Sequence, residues 1–281
     1  MKMAKDLRAG VVGLGAIGGG VAASLVNSGR IPVVYDIIPD AYAKHAGVPT
    51  QLDSAAEVAK ASDVVMLATF NAEQAIESLT GEGGLLSGAH ERLVIVLLST
   101  VTVDEVKQIA SICGENNVGF LDCGVSPGSL AAKNGLVALV GGEEETLEYA
   151  RPVLEDWSGD IVYCGPTGTG MAVKAARNVN TFGMWRVTAE SARLARAAGV
   201  SAARYLKALQ VLDKRDDLHY NFLQKLAATD DGKLPARMQE IYPKFMIKDL
   251  GVSIDLSKSL GVDMPVRDAV YDLINDTCDL M

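Results

Sequence analysis

The chain has few cysteines, and no two of the four (Cys113, Cys123, Cys164 and Cys278) form a C-x-x-C pair. Neither a structural metal nor a disulfide framework is expected; free thiols in a reducing cytoplasm are the simple reading. Histidine is scarcer still. His45, His90 and His219 fit no catalytic triad and no metal-ligand spacing, so no chemistry is assigned to them and no metal is expected. There is no dense Lys/Arg run, and a formal net charge of −9 argues against a nucleic-acid footprint. No uncharged apolar run reaches the roughly 18 residues of a membrane span. Lys2, Lys5 and Arg8 precede small apolar residues, as in a secretion signal. Asp6 interrupts that basic segment and glycines break the apolar one, so a cytoplasmic location is expected. What is present is a chain of 281 residues, 49% hydrophobic and 22% charged, with no internal repeat. That length favours two cores over one.

Short β-branched runs alternate with helix-like segments through the first part of the chain. Strands are read at Ala9–Gly13, Ile31–Asp36, Asp63–Ala68, Leu93–Leu98, Val118–Asp122, Leu136–Val140 and Ile161–Tyr163, with a helix over Ile17–Asn27. Continuous apolar strands separated by helices predict a parallel sheet covered on both faces. After Gly165 the character changes. Met171–Ala198 holds no proline and a single glycine, which predicts one long helix. Further helices follow, with breakers expected at Gly199, Gly232, Pro235, Pro243, Gly261 and Pro265. The expected fold is α/β: a doubly wound parallel sheet over residues 1–165, then an all-α domain over residues 166–281.

Gly13-Leu14-Gly15-Ala16-Ile17-Gly18 fits G-x-G-x-x-G, a pattern that is weak alone. Here a strand precedes it, a helix follows it, and Asp36 closes the next strand about 20 positions beyond Gly15. Gly13 permits the tight turn, Gly15 a close backbone approach to a pyrophosphate, and Gly18 tight helix–strand packing. The helix that opens at Ala16 and Ile17 offers unpaired N–H groups to phosphates. Asp36 can accept hydrogen bonds from a ribose hydroxyl and would repel a 2′-phosphate, and no Arg follows it in Ile37–Asp40. A Rossmann βαβ unit binding NAD is the reading.

Several further segments lie in the same order as motifs of a known family. Gly13–Leu25 is close to G-L-G-x-M-G-x-x-M-A-x-N-L, and Gly81–Leu86 reads GEGGLL. Ser99-Thr100 is a short S-T segment, and Asp122–Gly128 stands where D-A-P-V-S-G-G is found. Gly168–Asn178 matches G-x-G-x-x-x-K-x-x-N-N except for Arg177, and Lys248-Asp249-Leu250 reads K-D-L. On these segments the chain resembles the β-hydroxyacid dehydrogenase family, of the 3-hydroxyisobutyrate dehydrogenase type, over essentially its whole length. The resemblance implies that Thr100 and Lys248 lie by the nicotinamide and that Ser126, Pro127 and Gly128 grip a substrate carboxylate. It also implies that Lys174 is the catalytic lysine. The long C-terminal portion of 6-phosphogluconate dehydrogenases is not matched, so a small acid is expected rather than a sugar phosphate.

Lys174 and Asn178 are four apart on the expected long helix and so share one face. A lysine near a helix N-terminus has its ammonium disfavoured. It can take a proton from a substrate hydroxyl while hydride leaves the same carbon, and Asn178 can hold the substrate oxygen in line. Two departures bear on the substrate. Gly124 replaces the family's proline, and Pro127 replaces a glycine and so removes one N–H donor from the loop. The substrate's acidic group is therefore left open. An imine reductase, a related class that typically lacks the lysine, and a non-catalytic dinucleotide-binding module are the alternative functions. Apolar residues on several sides of the long helix (Val173, Val179, Phe182, Met184, Trp185, Val187) suggest a homodimer or homotetramer.

Overall fold

The computed structural model describes residues 7–216, 222, 224–225, 228 and 234–279. The breaker expected at Gly232 and the histidine His219 lie outside the described residues. The chain divides into two compact units, Met1–Asn178 and Val179–Met281.

The first unit alternates strand and helix. Its strands are β1 (Ala9–Val12), β2 (Val33–Tyr35), β3 (Val64–Leu67), β4 (Val94–Leu97), β5 (Gly119–Ser126), β6 (Leu136–Gly142) and β7 (Ser158–Gly165). Its helices are α1 (Ala16–Asn27), α2 (Ala55–Ala61), α3 (Ala72–Thr80), α4 (Val103–Glu115) and α5 (Glu144–Leu154), and α6 (Thr169–Ala197) begins in it. The strands form one sheet in the order β2-β1-β3-β4-β5-β6-β7. Strand periodicity sends alternate side chains to opposite faces, and a core forms on each. Val11, Met66, Val96 and Leu121 pack with Val21 and Leu25 of α1 and with Trp157. Val12, Leu67, Ile95 and Phe120 pack with Val58 of α2, Leu79 of α3 and Ile109 of α4. Both faces of β1, β3 and β4 are buried, so these strands read as unbroken apolar runs.

The parallel expectation needs one correction. β5 and β6 are antiparallel, with Asp122 opposite Gly141 and Ser126 opposite Val137, whereas β6 and β7 are parallel to each other. The linking segment 127–135 contains only a 3₁₀ turn over Gly128–Lys133 and a left-handed residue, Asn134. It is too short for a parallel crossover, which takes about a dozen residues or more. The same reversal lengthens β5 to Ser126, because its last residues find partners on β6.

Ligands bind doubly wound sheets in the crevice where strand order reverses, beyond the carboxyl ends of the strands. Here β1 has β2 on one side and β3 on the other, and that crevice opens beside Gly13.

The second unit is helical: the remainder of α6, then α7 (Ala202–Asp216), α8 (Ala236–Leu260), α9 (Pro265–Asp272) and α10 (Ile274–Asp279). Gly199 ends α6 and Gly261 ends α8, each at positive φ (82° and 64°). Pro265 opens α9 at its first turn. Pro243 does not break a helix, contrary to expectation, but lies inside α8. Met238, Tyr242 and Met246, one turn apart on either side of it, all pack against Leu234. That shared contact carries the helix past the hydrogen bond proline cannot make. Glu190 of α6, almost fully buried, accepts from the backbone N–H groups of Val266 and Arg267 and from Arg186. It thereby satisfies the open amides at the start of α9.

Candidate functional site

The glycine loop joins β1 to α1 and has the shape its residues predict. Gly13 has φ of +88°, and a Cβ there would lie 2.4 Å from the Ala68 carbonyl oxygen. A Cβ on Gly18 would fall 1.9 Å from the Gly13 carbonyl oxygen, so helix and loop touch only because both are glycine. At Gly15 a Cβ would meet nothing within 4 Å. That open side, at the N-cap of α1 with no side-chain cap, leaves the N–H groups of the first turn facing outward. His45, to which no chemistry was assigned, supports the loop: its Nε2 lies 2.8 Å from the Leu14 carbonyl oxygen, and its ring fills the space beside Gly19.

A cleft of about 600 Å³ opens from this loop and is lined by Val12, Gly13, Gly15, Asp36, Phe70 and Glu73, among others. Asp36 anchors one side. Its Oδ2 accepts from Leu14 N–H at 2.6 Å and its Oδ1 from Ile38 N–H at 2.8 Å. Each carboxylate oxygen keeps a lone pair for a ribose hydroxyl. Glu73 and Glu77 of α3 line the same cleft, and among the described residues no Lys or Arg does. The sequence reading did not reach these two carboxylates, since nothing in a helix pattern says which turn will overhang a crevice. Open amides for phosphates, acceptors for a ribose and a cleft of this size fit a dinucleotide. Thr100 is exposed just beyond the carboxyl end of β4, while Ser99 is buried with its hydroxyl donating to the Thr69 carbonyl.

Lys174 is placed by β5. Asp122, fully buried on that strand, accepts from Gly168 N–H (Oδ1) and Met171 N–H (Oδ2), both at 2.7 Å. The carboxylate thus fixes the first turn of α6 against the sheet. Burial pushes the Asp122 carboxyl above its usual range, and the bonds from Gly168 and Met171 oppose that without cancelling it. Two residues along, a Cβ on Gly124 would lie 2.5 Å from Lys174 Cβ, so this glycine lets helix and strand close together. The Lys174 ammonium then donates to the Val125 carbonyl at 2.7 Å. Burial lowers the lysine's pKa from its ordinary value, and the Arg177 charge lowers it further.

Asn178 sits one turn beyond Lys174 and, like it, is half-buried between exposed neighbours. Ser126, also buried, ends β5 on the face that carries Asp122 and Gly124. Pro127 and Gly128 are exposed, and Gly128 approaches Ile17 of α1. Lys174, Asn178, Ser126, Pro127, Gly128 and the glycine loop therefore all belong to the first unit. Lys248 lies in the second, on α8, where its ammonium is 3.1 Å from Asp249. Asp122 had no role assigned from the sequence, because its partners lie more than forty residues away. Among the described residues there is no group of three or more His, Cys, Asp or Glu arranged to hold a metal. None of the described helices is long and apolar enough to cross a membrane.

A model for the NAD binding domain of 6-phosphogluconate dehydrogenase matches residues 8–165. The chain is 29% identical to 2-(hydroxymethyl)glutarate dehydrogenase of Eubacterium barkeri over 94% of its own length and 87% of that protein. A solved structure of 3-hydroxyisobutyrate dehydrogenase from Mycobacterium tuberculosis with L-serine superposes with a TM-score of 0.67. Its sequence is 26% identical, with 98% of this chain and 94% of that one covered. An imine reductase from Pseudomonas sp. shares the fold, with a TM-score of 0.76, 21% identity, and 95% and 91% covered. With the matched domain spanning more than half of it and the fold running through both units, the chain belongs to the β-hydroxyacid dehydrogenase family and is an NAD(P)-linked oxidoreductase.

Proposed function

We propose that the protein oxidises a small β-hydroxy acid, or reduces the corresponding semialdehyde, with Lys174 as general acid/base and NAD as the preferred cofactor. The observation that carries this reading is Lys174 itself. It is half-buried and bonded to a backbone carbonyl, it has no carboxylate partner among the described residues, and its pKa is lowered. A lowered pKa favours the neutral amine, and a neutral amine can accept a hydroxyl proton.

Gly13, Gly15, Ala16, Ile17 and Gly18 hold the pyrophosphate, Asp36 the ribose, and Thr100 and Lys248 the nicotinamide end. Bound NAD supplies the acceptor for the hydride that leaves the carbinol carbon. Lys174 removes the proton from the hydroxyl on that carbon, so the alcohol loses H⁻ and H⁺ and becomes a carbonyl. Asn178 donates to the same oxygen and keeps it in line. Ser126 and the Gly128 amide take the carboxylate, with Pro127 shaping the loop without donating. Asp36, Glu73 and Glu77 surround the ribose end with negative charge, which disfavours a 2′-phosphate. α6 supplies a homodimer contact through Val179, Phe182 and Trp185, all well exposed.

The relatives suggest a shared substrate skeleton, HOCH₂–CH(R)–COO⁻, with R a methyl group in 3-hydroxyisobutyrate and a carboxyethyl group in 2-(hydroxymethyl)glutarate. The test is turnover of both acids with NAD, followed as NADH absorbance. Lys174→Met should lower turnover by about 10²–10⁴ and leave NADH affinity nearly unchanged. A Lys174→Met enzyme with near-normal kcat would refute the mechanism.

A further inference from the structure

Two cations, Lys174 and Arg177, lie one turn apart near the start of α6. Neither has a carboxylate partner among the described residues. The Arg177 charge disfavours the ammonium form of Lys174, which fits an amine that accepts a proton. Arg177, always charged, is the group of the two that can hold an anion.

Residues three apart on a helix share a face and are displaced by about 4.5 Å along the axis. The Arg177 guanidinium reaches along that face, its Nη1 lying 3.4 Å from the Asn178 side-chain oxygen. That oxygen belongs to the amide whose N–H groups would hold the substrate oxygen. Arg177 is exposed, so its other N–H donors remain open to solvent or ligand. The position is also where this chain departs from the K-x-x-N-N pattern, putting a permanent charge and a bidentate fork in place of a neutral amide. Ser126 and Gly128, on β5 and the turn after it, already serve one carboxylate in the proposed site.

We propose that Arg177 binds a second carboxylate, so that the preferred substrate is a hydroxy diacid whose R group carries an anion, as opposed to a monoacid. The inference rests on the proposed function and deepens it. In the skeleton HOCH₂–CH(R)–COO⁻, the carboxylate of a two-methylene arm lies about one helical turn from the carbinol. A fork of paired N–H donors then closes on it.

Two matched pairs of acids test this. The reactive pair is 2-(hydroxymethyl)glutarate and 3-hydroxyisobutyrate, compared by kcat/KM with NAD. The unreactive pair is 2-methylglutarate and isobutyrate, which have the same skeletons without the hydroxyl, titrated calorimetrically into the NADH-loaded protein. Wild type should favour the diacid of each pair by about 10- to 100-fold, the usual effect of one charge-assisted contact. Arg177→Asn should remove that preference by weakening the diacid alone, and Arg177→Lys should retain part of it. Equal losses for mono- and diacid would mean that Arg177 holds the common carboxylate, and no change in either would mean a solvated cation; both overturn the proposal. Absent turnover with a persisting diacid preference in calorimetry would refute the dehydrogenase mechanism and leave the Arg177 assignment standing. Turnover without that preference would do the reverse.

Discussion

Gly124→Ala adds one methyl group at the closest approach of β5 and α6. The new Cβ would lie 2.5 Å from Lys174 Cβ, 3.0 Å from its Cγ and 3.1 Å from the Gly170 carbonyl oxygen. Carbon–carbon contacts settle at about 3.5–4.0 Å, so helix and strand must separate locally by about 1 Å. Rotamer changes cannot absorb this, because Lys174 Cβ moves only with the helix backbone. The Asp122 clamp one turn earlier resists the movement. Overpacking of this kind costs about 1–3 kcal/mol, which lowers Tm by roughly 2–10 °C for a protein of this size. The larger effect should be on turnover. A displacement of about 1 Å of the group that moves the proton lowers kcat by about 10²-fold. NADH affinity should hold, since the glycine loop and Asp36 are on other elements. Gly114→Ala is the control: its Cβ would meet nothing within 4 Å. Steady-state kinetics, NADH fluorescence titration and thermal melts of both variants decide the matter. A Gly124→Ala enzyme with wild-type kcat and wild-type Tm would show that Lys174 is not held against β5 in this way.

Three further outcomes are expected. Wild type should prefer NAD to NADP by about tenfold or more in kcat/KM, about 1.4 kcal/mol; Asp36→Ala should narrow that ratio without inverting it, because Glu73 and Glu77 remain. Alcohol oxidation needs neutral Lys174, whose pKa lies below the ordinary 10.5. The kcat for oxidation should therefore rise with pH with a midpoint below that value, and a midpoint at or above it would contradict the assignment. Burial pushes the Glu190 carboxyl up, but the Val266 and Arg267 amides and Arg186 hold it below its usual value of 4.5. Its stabilising contribution is thus present above pH 4.5 and is lost as pH falls through the lowered value. Glu190→Gln should lower stability at neutral pH by about 1.5–3 kcal/mol in denaturant titrations, with the gap to wild type closing in acid.

Much of this protein is determined within short windows of sequence. The βαβ unit could be read because its features are local: an apolar run, glycines at fixed offsets, and an acid at the end of the next strand. Period and length were enough for the long helix α6, and Gly199 and Gly261 marked helix ends because few other residues adopt positive φ. Other features depend on partners distant in sequence. Whether β6 runs with or against β5 is decided by how far segment 127–135 can reach, and apolar composition does not encode direction. Pro243 sits inside a helix because side chains on either side of it share one contact with Leu234. Asp122 meets amides more than forty residues away, Gly124 matters because Lys174 packs on it, and Glu73 and Glu77 face the cleft because α3 overhangs the reversal of strand order. The residue types came from local sequence. Which charges are left without a counter-charge only the tertiary structure decided, because a charge's free energy depends on every group that surrounds it in space.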